Sequence, residues 1–203
     1  MTVNQVGRPS KTAERTAQIL SATQTVVARA GIAGTTLSAV AEEAGLQRTL
    51  VLHYFGTREA LIQAFIAQAV AGYGRQMLAR GGRKPIGERI GLLFGGRAYR
   101  SRDELLVWSE LVALAARDGG VRKQLQVLWT KWWLPELERQ LAEEFTGASR
   151  QKIAGAAYAI AGLFEAHWWF HLQGLTGTKR RTQARYAVGL ILSDLNKAGV
   201  GGT

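Results

Sequence analysis

The chain contains very few residues that would interrupt a helix, and this scarcity constrains its fold more than any other feature. Only three prolines occur in 203 residues, namely Pro9, Pro85 and Pro135. Alternating Val, Ile and Thr of the kind found in strands is rare, whereas apolar residues recur three and four positions apart. We therefore predict an all-α protein.

Glycines and small polar residues divide this helical pattern into segments. Ser10 is a candidate cap for the first helix, Gly31 and Gly34 end it, and Thr57 is a candidate cap for the fourth. The predicted helices cover about 10–30, 35–44, 47–54, 58–79, 86–99, 102–117, 120–145, 149–173 and 179–197.

Composition narrows the class of protein. Hydrophobic residues make up 47% of the chain, enough for a core, and no apolar run is long enough to cross a membrane. There is no cysteine, which excludes disulfides and thiolate metal sites. We expect a cytoplasmic protein without membrane attachment.

The net charge of +11 favours a polyanionic partner, but most of it lies outside the N-terminal region. Residues 1–60 contain six basic and four acidic side chains, a balance of +2. Eight basic residues and one acid lie between Arg75 and Arg102. Local pattern, and not total charge, must therefore support any assignment of DNA binding.

The spacing between the second and third predicted helices is typical of a helix-turn-helix. Ala41 is small enough for two helices to cross closely, Gly45 permits a sharp turn, and Leu46 is apolar and can pack beneath it. In the third helix Val51 and Phe55 are four residues apart and are expected to face inward together. The outward positions are then Arg48, Thr49, Leu50, Leu52, His53 and Tyr54, which suit the major groove of DNA. An ordinary solvated helix hairpin is the alternative.

Several spaced segments within about residues 15–62 form one recognisable pattern. They are Ile19-Leu20, Ala30-Gly31, Thr35-Thr36-Leu37, Val40-Ala41, Ala44-Gly45-Leu46 and His53-Tyr54-Phe55-Gly56-Thr57-Arg58-Glu59-Ala60-Leu61. Together they resemble the TetR family of repressors. The resemblance implies an all-helical homodimer with an N-terminal three-helix DNA-binding head and a C-terminal helical bundle that dimerises and binds an inducer.

The resemblance also implies roles by position. Arg48, Thr49 and Leu50 would face bases, and Leu52, His53 and Tyr54 would lie along the backbone or nearby bases. Phosphate contacts are implied for Thr36, Ser38 and Arg58, and a basic arm containing Arg8 and Lys11 either reaches the minor groove or is simply solvated. This chain departs from the family in having Leu52 where a tyrosine is usual and Leu50 where a small residue is frequent.

Six tryptophans, all beyond residue 100, are the main feature of the body. They fit either core and interface packing or an aromatic wall of a ligand pocket. The body resembles that of choline-responsive TetR members. In this chain, tryptophan faces together with Glu110 or Glu165 could hold a cation, whereas the arginines of residues 75–102 favour an anionic ligand or extra DNA contact. The candidate ligand-binding residues are Trp108, Glu110, Trp129, Trp132, Trp133 and His167.

No catalytic arrangement of side chains is evident, so we expect neither an enzyme nor a bound cofactor. His167 and His171 are four residues apart but lack a clear third ligand, so no metal site is expected. Small residues in the last two helices permit close approach of a second copy, and the candidate dimer residues are Leu163, Trp168, Leu190, Ile191 and Leu195.

The sequence thus predicts a basic arm at 1–14, a helix-turn-helix domain at 15–60 and a ligand-binding and dimerisation domain at 61–203. The predicted function is a homodimeric repressor that leaves a palindromic double-stranded operator when a small-molecule inducer binds. The alternatives are a dimeric DNA organiser that responds to no ligand, and a helical small-molecule-binding protein whose head is vestigial.

Overall fold

The structure, a computed structural model, describes residues 11–78, 84–95, 99 and 101–197. Within these residues every regular element is a helix, which confirms the predicted all-α class. None of the described helices is both long and apolar enough to cross a membrane. The helices are α1 (Lys11–Gly34), α2 (Leu37–Glu43), α3 (Arg48–Phe55), α4 (Arg58–Leu78), α5 (Ile86–Leu93), α6 (Arg102–Ala115), α7 (Gly119–Val127), a π-helical segment (Leu128–Trp133), α8 (Leu134–Glu144), α9 (Arg150–Leu172) and α10 (Thr178–Lys197).

Polar side chains cap five of these helices, namely α2, α4, α6, α7 and α9. The Thr36 and Thr57 hydroxyls accept hydrogen bonds from the amides of Ala39 and Ala60, both at 3.1 Å. Ser101 and Ser149 cap α6 and α9 in the same way. Each cap satisfies a donor that the first turn of a helix leaves unpaired, so the helix starts are fixed locally. Ser10 and the glycines at 81 and 82 lie outside the described residues.

Two hydrophobic clusters divide the fold. The head cluster joins α1 to α4 and contains Ile19, Ala22, Val26, Leu37, Val40, Ala41, Val51 and Leu61. The body cluster runs from Ile62 to Leu195 and also includes Val27 of α1. Because α1 contributes side chains to both clusters, it connects the head mechanically to the body.

The predicted helix at 120–145 is interrupted, and its middle is wound as a π-helix. Pro135 explains the change, since its ring cannot donate a hydrogen bond and would clash with the carbonyl of Lys131, four residues earlier. Opening the preceding turn relieves this clash. The predicted helix at 86–99 is also too long, because α5 ends at Leu93.

Candidate DNA-binding head and ligand-binding body

The turn between α2 and α3 is closed by two backbone hydrogen bonds. The amide of Gly45 donates to the carbonyl of Glu42 at 3.0 Å, and that of Leu46 donates to the carbonyl of Ala41 at 2.8 Å. Gly45 has φ +66°, a conformation that glycine adopts without strain. Leu46 packs against the head cluster, as the spacing predicted. This arrangement stops α2 and directs the chain into α3.

Helix α3 buries one side chain completely and leaves a polar face to solvent. Val51 is buried, and Phe55, which was expected to face inward with it, is half-buried and packs against the head cluster. Leu52 and Tyr54 are half-buried and pack on the head cluster. The remaining predicted contact residues share one face, on which Arg48, Thr49 and His53 are exposed and Leu50 is half-buried.

Arg48 is free to reach a partner. It lies in the first turn of α3, is exposed, and takes part in none of the ion pairs among the described residues. A guanidinium with unused donors at the start of a short exposed helix is suited to paired contacts with guanine or with phosphate.

Apart from Arg58, the other predicted contact residues of the head are exposed wherever the structure describes them. Thr36 is exposed and also caps α2, and Ser38, two residues further on, is exposed as well. Lys11 is exposed at the start of α1, and Arg8 lies outside the described residues. All of these described positions are open to solvent.

Arg58, in contrast, is engaged by the protein itself. Its guanidinium donates to the carbonyls of Ile32 and Thr35, both at 2.6 Å, and more weakly to that of Ala33 at 3.4 Å. These carbonyls belong to the end of α1 and the turn after it, where no helical partner remains for them. The structure therefore places Arg58 as a brace between α4 and α1.

The same turn is held from the other side by the body. Gly31 interrupts α1 with φ +69° and ψ 170°, and the next amide, that of Ile32, donates to Oε2 of Glu110 at 3.2 Å. Glu110 lies on α6, two residues after Trp108. Glu110, expected to face a ligand, thus forms the joint between body and head.

The body contains a cluster of aromatic rings around one carboxylate. Tyr73 of α4 and Trp108 of α6 are stacked, with ring centroids 3.7 Å apart. Trp129 stands edge-on to both, and Trp133 stands edge-on to Trp129 at 5.2 Å. We call Tyr73, Trp108, Trp129, Trp133 and Glu165 the aromatic cluster. The sequence predicted its tryptophans, but it gave no indication of Tyr73.

Glu165 is the charged member of this cluster. Its two oxygens accept hydrogen bonds from Tyr73 Oη at 2.6 Å and from Trp108 Nε1 at 3.1 Å. No cation pairs with it among the described residues, and burial raises the pKa of its carboxyl despite the two hydrogen bonds. Burial raises the pKa of Tyr73 as well. A carboxylate enclosed by aromatic faces is a favourable partner for an organic cation.

The remaining candidate ligand residues are spread over different surroundings. Trp133 is buried, and its Nε1 has no acceptor within the described part of the chain. His167 is buried between Phe94 and Trp168, each with a ring centroid 5.3 Å from its own. Trp132 points away from the cluster and is 66% exposed. Among the described residues no three His, Asp or Glu side chains are close enough to hold a metal ion.

The candidate dimer residues also separate. Leu190 is exposed, Leu163 and Ile191 are half-buried, and Leu195 is buried in the body cluster. Trp168 lies inside the protomer, where its Nε1 donates to the carbonyl of Leu93 at 3.1 Å. The large apolar side chains that α9 and α10 expose are Tyr158, Trp169, Phe170, Tyr186 and Leu190.

Comparison with known proteins agrees with this geometry. The family model described as bacterial regulatory proteins, tetR family, matches residues 19–65. The chain is 28% identical to the HTH-type transcriptional regulator BetI of Burkholderia ambifaria over 160 residues, which cover 76% of this chain and 80% of that protein. Over 50 residues it is 42% identical to BetI of Paraburkholderia xenovorans, a match that spans 25% of this chain and 26% of the relative.

Solved structures show the same fold along nearly the whole chain. A transcriptional regulator from Pseudomonas aeruginosa PAO1 superposes with a TM-score of 0.70 and 20% identity, covering 91% of each chain. A TetR-family regulator from Cytophaga hutchinsonii gives a TM-score of 0.68 and 19% identity, covering 96% of this chain and 98% of its own. The three-helix head thus matches the tetR-family model, and the chain along nearly its whole length has the fold of solved TetR-family transcriptional regulators.

Proposed function

We propose that the protein is a homodimeric repressor that leaves its DNA operator when a small molecule binds in the body. Its function then resides in binding and not in catalysis, and it acts in the cytoplasm, on chromosomal DNA. The observation that carries this proposal is the joint at Gly31, where Glu110 of the body holds the backbone of the head. A gel-shift titration with the promoter of its own gene, with and without candidate ligands, tests it.

We assign residues 15–60 to DNA binding and 61–203 to ligand binding and dimerisation, with residues 1–14 as an arm. The two clusters support a boundary close to this one, since they divide one residue later, between Leu61 in the head and Ile62 in the body. Two heads in one dimer suit a palindromic operator whose half-sites are about one helical turn apart.

Sequence reading is assigned to the exposed face of α3. Arg48→Ala should abolish the preference for operator over random DNA, because direct contacts to bases carry the sequence information. Arg117→Ala, which removes an exposed arginine of the body, is the matched control. Binding that is insensitive to salt, or an unchanged preference in the Arg48 variant, contradicts the assignment.

The ligand that the aromatic cluster favours is an organic cation. Glu165 supplies an unpaired negative charge, and Trp108, Trp129 and Tyr73 supply faces whose quadrupoles attract a cation. Calorimetric titration with tetramethylammonium tests this choice. The ligand control is 3,3-dimethylbutan-1-ol, whose tert-butyl group has the shape of a methylated ammonium group but no charge. Glu165→Gln should remove cation binding, whereas Glu138→Gln on α8 should not.

The stacked rings suggest how binding reaches the head. Tyr73 and Trp108 are in van der Waals contact, so a cation placed between them requires α4 and α6 to move apart. Helix α4 begins with Arg58 and α6 carries Glu110, and both side chains hold the turn at the end of α1. A ligand that prefers the separated arrangement therefore shifts the equilibrium between two head positions.

Dimerisation is assigned to α9 and α10. Their exposed faces carry large apolar side chains, and glycines on the same helices leave open space for a second backbone: Gly155, Gly162 and Gly189. An apolar surface of this kind on a helix pair is usually covered by a partner. A ligand-independent DNA organiser would share this dimer, but its DNA affinity would not change with any cation.

A further inference from the structure

A second concave surface lies on the outside of the body, where α4 meets the helices that follow residue 119. It has a volume of about 1180 Å³. We call it the outer groove, and its lining residues are Ala67, Val70, Ala71, Gly120, Lys123, Gln124, Val127, Leu128, Lys131, Trp132, Pro135, Glu136 and Arg139.

The walls of the outer groove are largely apolar. Trp132 and Val127 line it and are 66% and 42% exposed, respectively. Exposed apolar side chains of this size that converge on one concavity usually mark a binding surface. A hydrocarbon chain laid along them would remove both from water.

The charged side chains of the outer groove that form no ion pair within the described part of the chain are positive. Arg139 is occupied by the carboxylates of Glu136, at 2.6 and 2.8 Å, and of Glu143. Lys123 and Lys131 are exposed and enter no ion pair among the described residues. These two lysines therefore supply the unpaired charge of the outer groove.

We propose that the outer groove binds an amphipathic anion, a hydrocarbon chain that ends in a carboxylate or a phosphate. The chain would lie against Trp132 and Val127, and the anionic end would pair with Lys123 or Lys131. An anion is selected because both unpaired charges are positive, and a chain is selected because the surface between them is apolar. This site is distinct from the aromatic cluster, where the carboxylate of Glu165 favours a ligand of the opposite charge.

The two sites share one structural element. In the π-helical segment, Trp129 and Trp133 belong to the aromatic cluster, whereas Lys131 and Trp132 line the outer groove. Val70 of the outer groove and Tyr73 of the aromatic cluster are likewise one turn apart on α4. Binding in the outer groove should therefore change the affinity of the aromatic cluster, and the reverse by linkage.

The test uses three probes with the same twelve-carbon chain, each kept below its micelle concentration: dodecanoate, dodecyl phosphate and dodecanol. Calorimetry on the full chain should give the tighter Kd for the anions, and the better of the two identifies the headgroup. The double variant Lys123→Gln/Lys131→Gln should weaken anion binding about tenfold. The matched control, Arg117→Gln/Arg122→Gln, removes two nearby positive charges that do not line the outer groove and should leave the Kd unchanged.

Three results would overturn the proposal. The first is binding of dodecanol as tight as that of the anions, which would leave no role for the lysines. The second is an anion Kd that is the same in the lysine variant and in the parent protein, or no binding of either anion. The third is loss of the dimer in Trp132→Ala, measured by sedimentation, because the outer groove would then be covered by a second copy. None of these measurements involves DNA or Glu165, so the proposed function is tested separately.

Discussion

Two glycine-to-alanine substitutions should change stability in opposite directions, and the pair tests the description of the joint. Gly31→Ala places a side chain at φ +69° and ψ 170°, a region that is almost exclusive to glycine. Its Cβ would also lie 3.1 Å from Oε2 of Glu110, the acceptor for the amide of Ile32. Gly72→Ala, in contrast, adds a methyl group inside α4 that, beyond its chain neighbours and the backbone of its own helix, would have no atom within 4 Å.

The magnitudes follow from these environments. A backbone forced into this region costs about 1–3 kcal/mol, and disturbing the Glu110 hydrogen bond costs about 1 kcal/mol more. Gly31→Ala should therefore lower the free energy of unfolding by about 3 kcal/mol, or the melting temperature by roughly 6–12 °C for a chain of this size. Gly72→Ala should raise the free energy of unfolding by about 0.5–1 kcal/mol, because alanine is the better helix former.

Urea unfolding followed by circular dichroism measures both variants. Protein concentration must be the same throughout, because a dimer gains stability with concentration. If Gly31→Ala is as stable as the parent protein, α1 has no break at this position that requires glycine. The described hydrogen bond between Glu110 and the backbone after Gly31 is then wrong. If Gly72→Ala is also strongly destabilised, the loss reflects a general intolerance of the chain and says nothing about Gly31.

Three further predictions concern single side chains. Arg58→Ala should lower the free energy of unfolding by about 1–3 kcal/mol, since it removes the guanidinium hydrogen bonds to the carbonyls of Ile32 and Thr35; a variant with full stability but weaker DNA binding would favour a phosphate contact. Burial raises the pKa of Glu165 in the folded protein, so its contribution to stability is present at acid pH and is lost as the pH rises through the folded value. Glu165→Gln should accordingly melt above the parent protein at pH 8 but not at pH 4, and a parallel offset at both values would contradict this. Tyr186→Glu should convert the dimer to a monomer in sedimentation, whereas Val127→Glu, an exposed apolar position on α7, should not.

The helix boundaries of the head were predictable because they are set by residues that lie next to them in sequence. Gly45 lies in the turn directly after α2, and Thr57 caps α4 from the position just before it. Side-chain burial was harder to predict, as Phe55 shows. Its spacing from Val51 puts it on the inner face, but the short helix ends there, and the ring is only half-covered.

The body was less predictable because its contacts join distant parts of the chain. Tyr73 and Glu165 are 92 positions apart, and nothing beside Tyr73 in sequence indicates a carboxylate partner. Glu110 lies two residues after Trp108 in sequence, but these two side chains of α6 have different partners. Glu110 accepts a hydrogen bond from the backbone of α1, whereas Trp108 donates one to Glu165. The break before Pro135 could have been predicted, since proline rarely lies inside an uninterrupted helix.

The π-helical segment also sets the angular phase of everything that follows it. An α-helix turns about 100° per residue, so one extra residue in a wide turn rotates the faces of α8 relative to those of α7. Deleting one residue between 128 and 133 would restore a regular winding and carry Leu137 and Leu141 away from the body cluster. The π-helical segment thus fixes the rotation of α8 about its axis relative to α7, and the apolar face of α8 meets the core only if that rotation is kept.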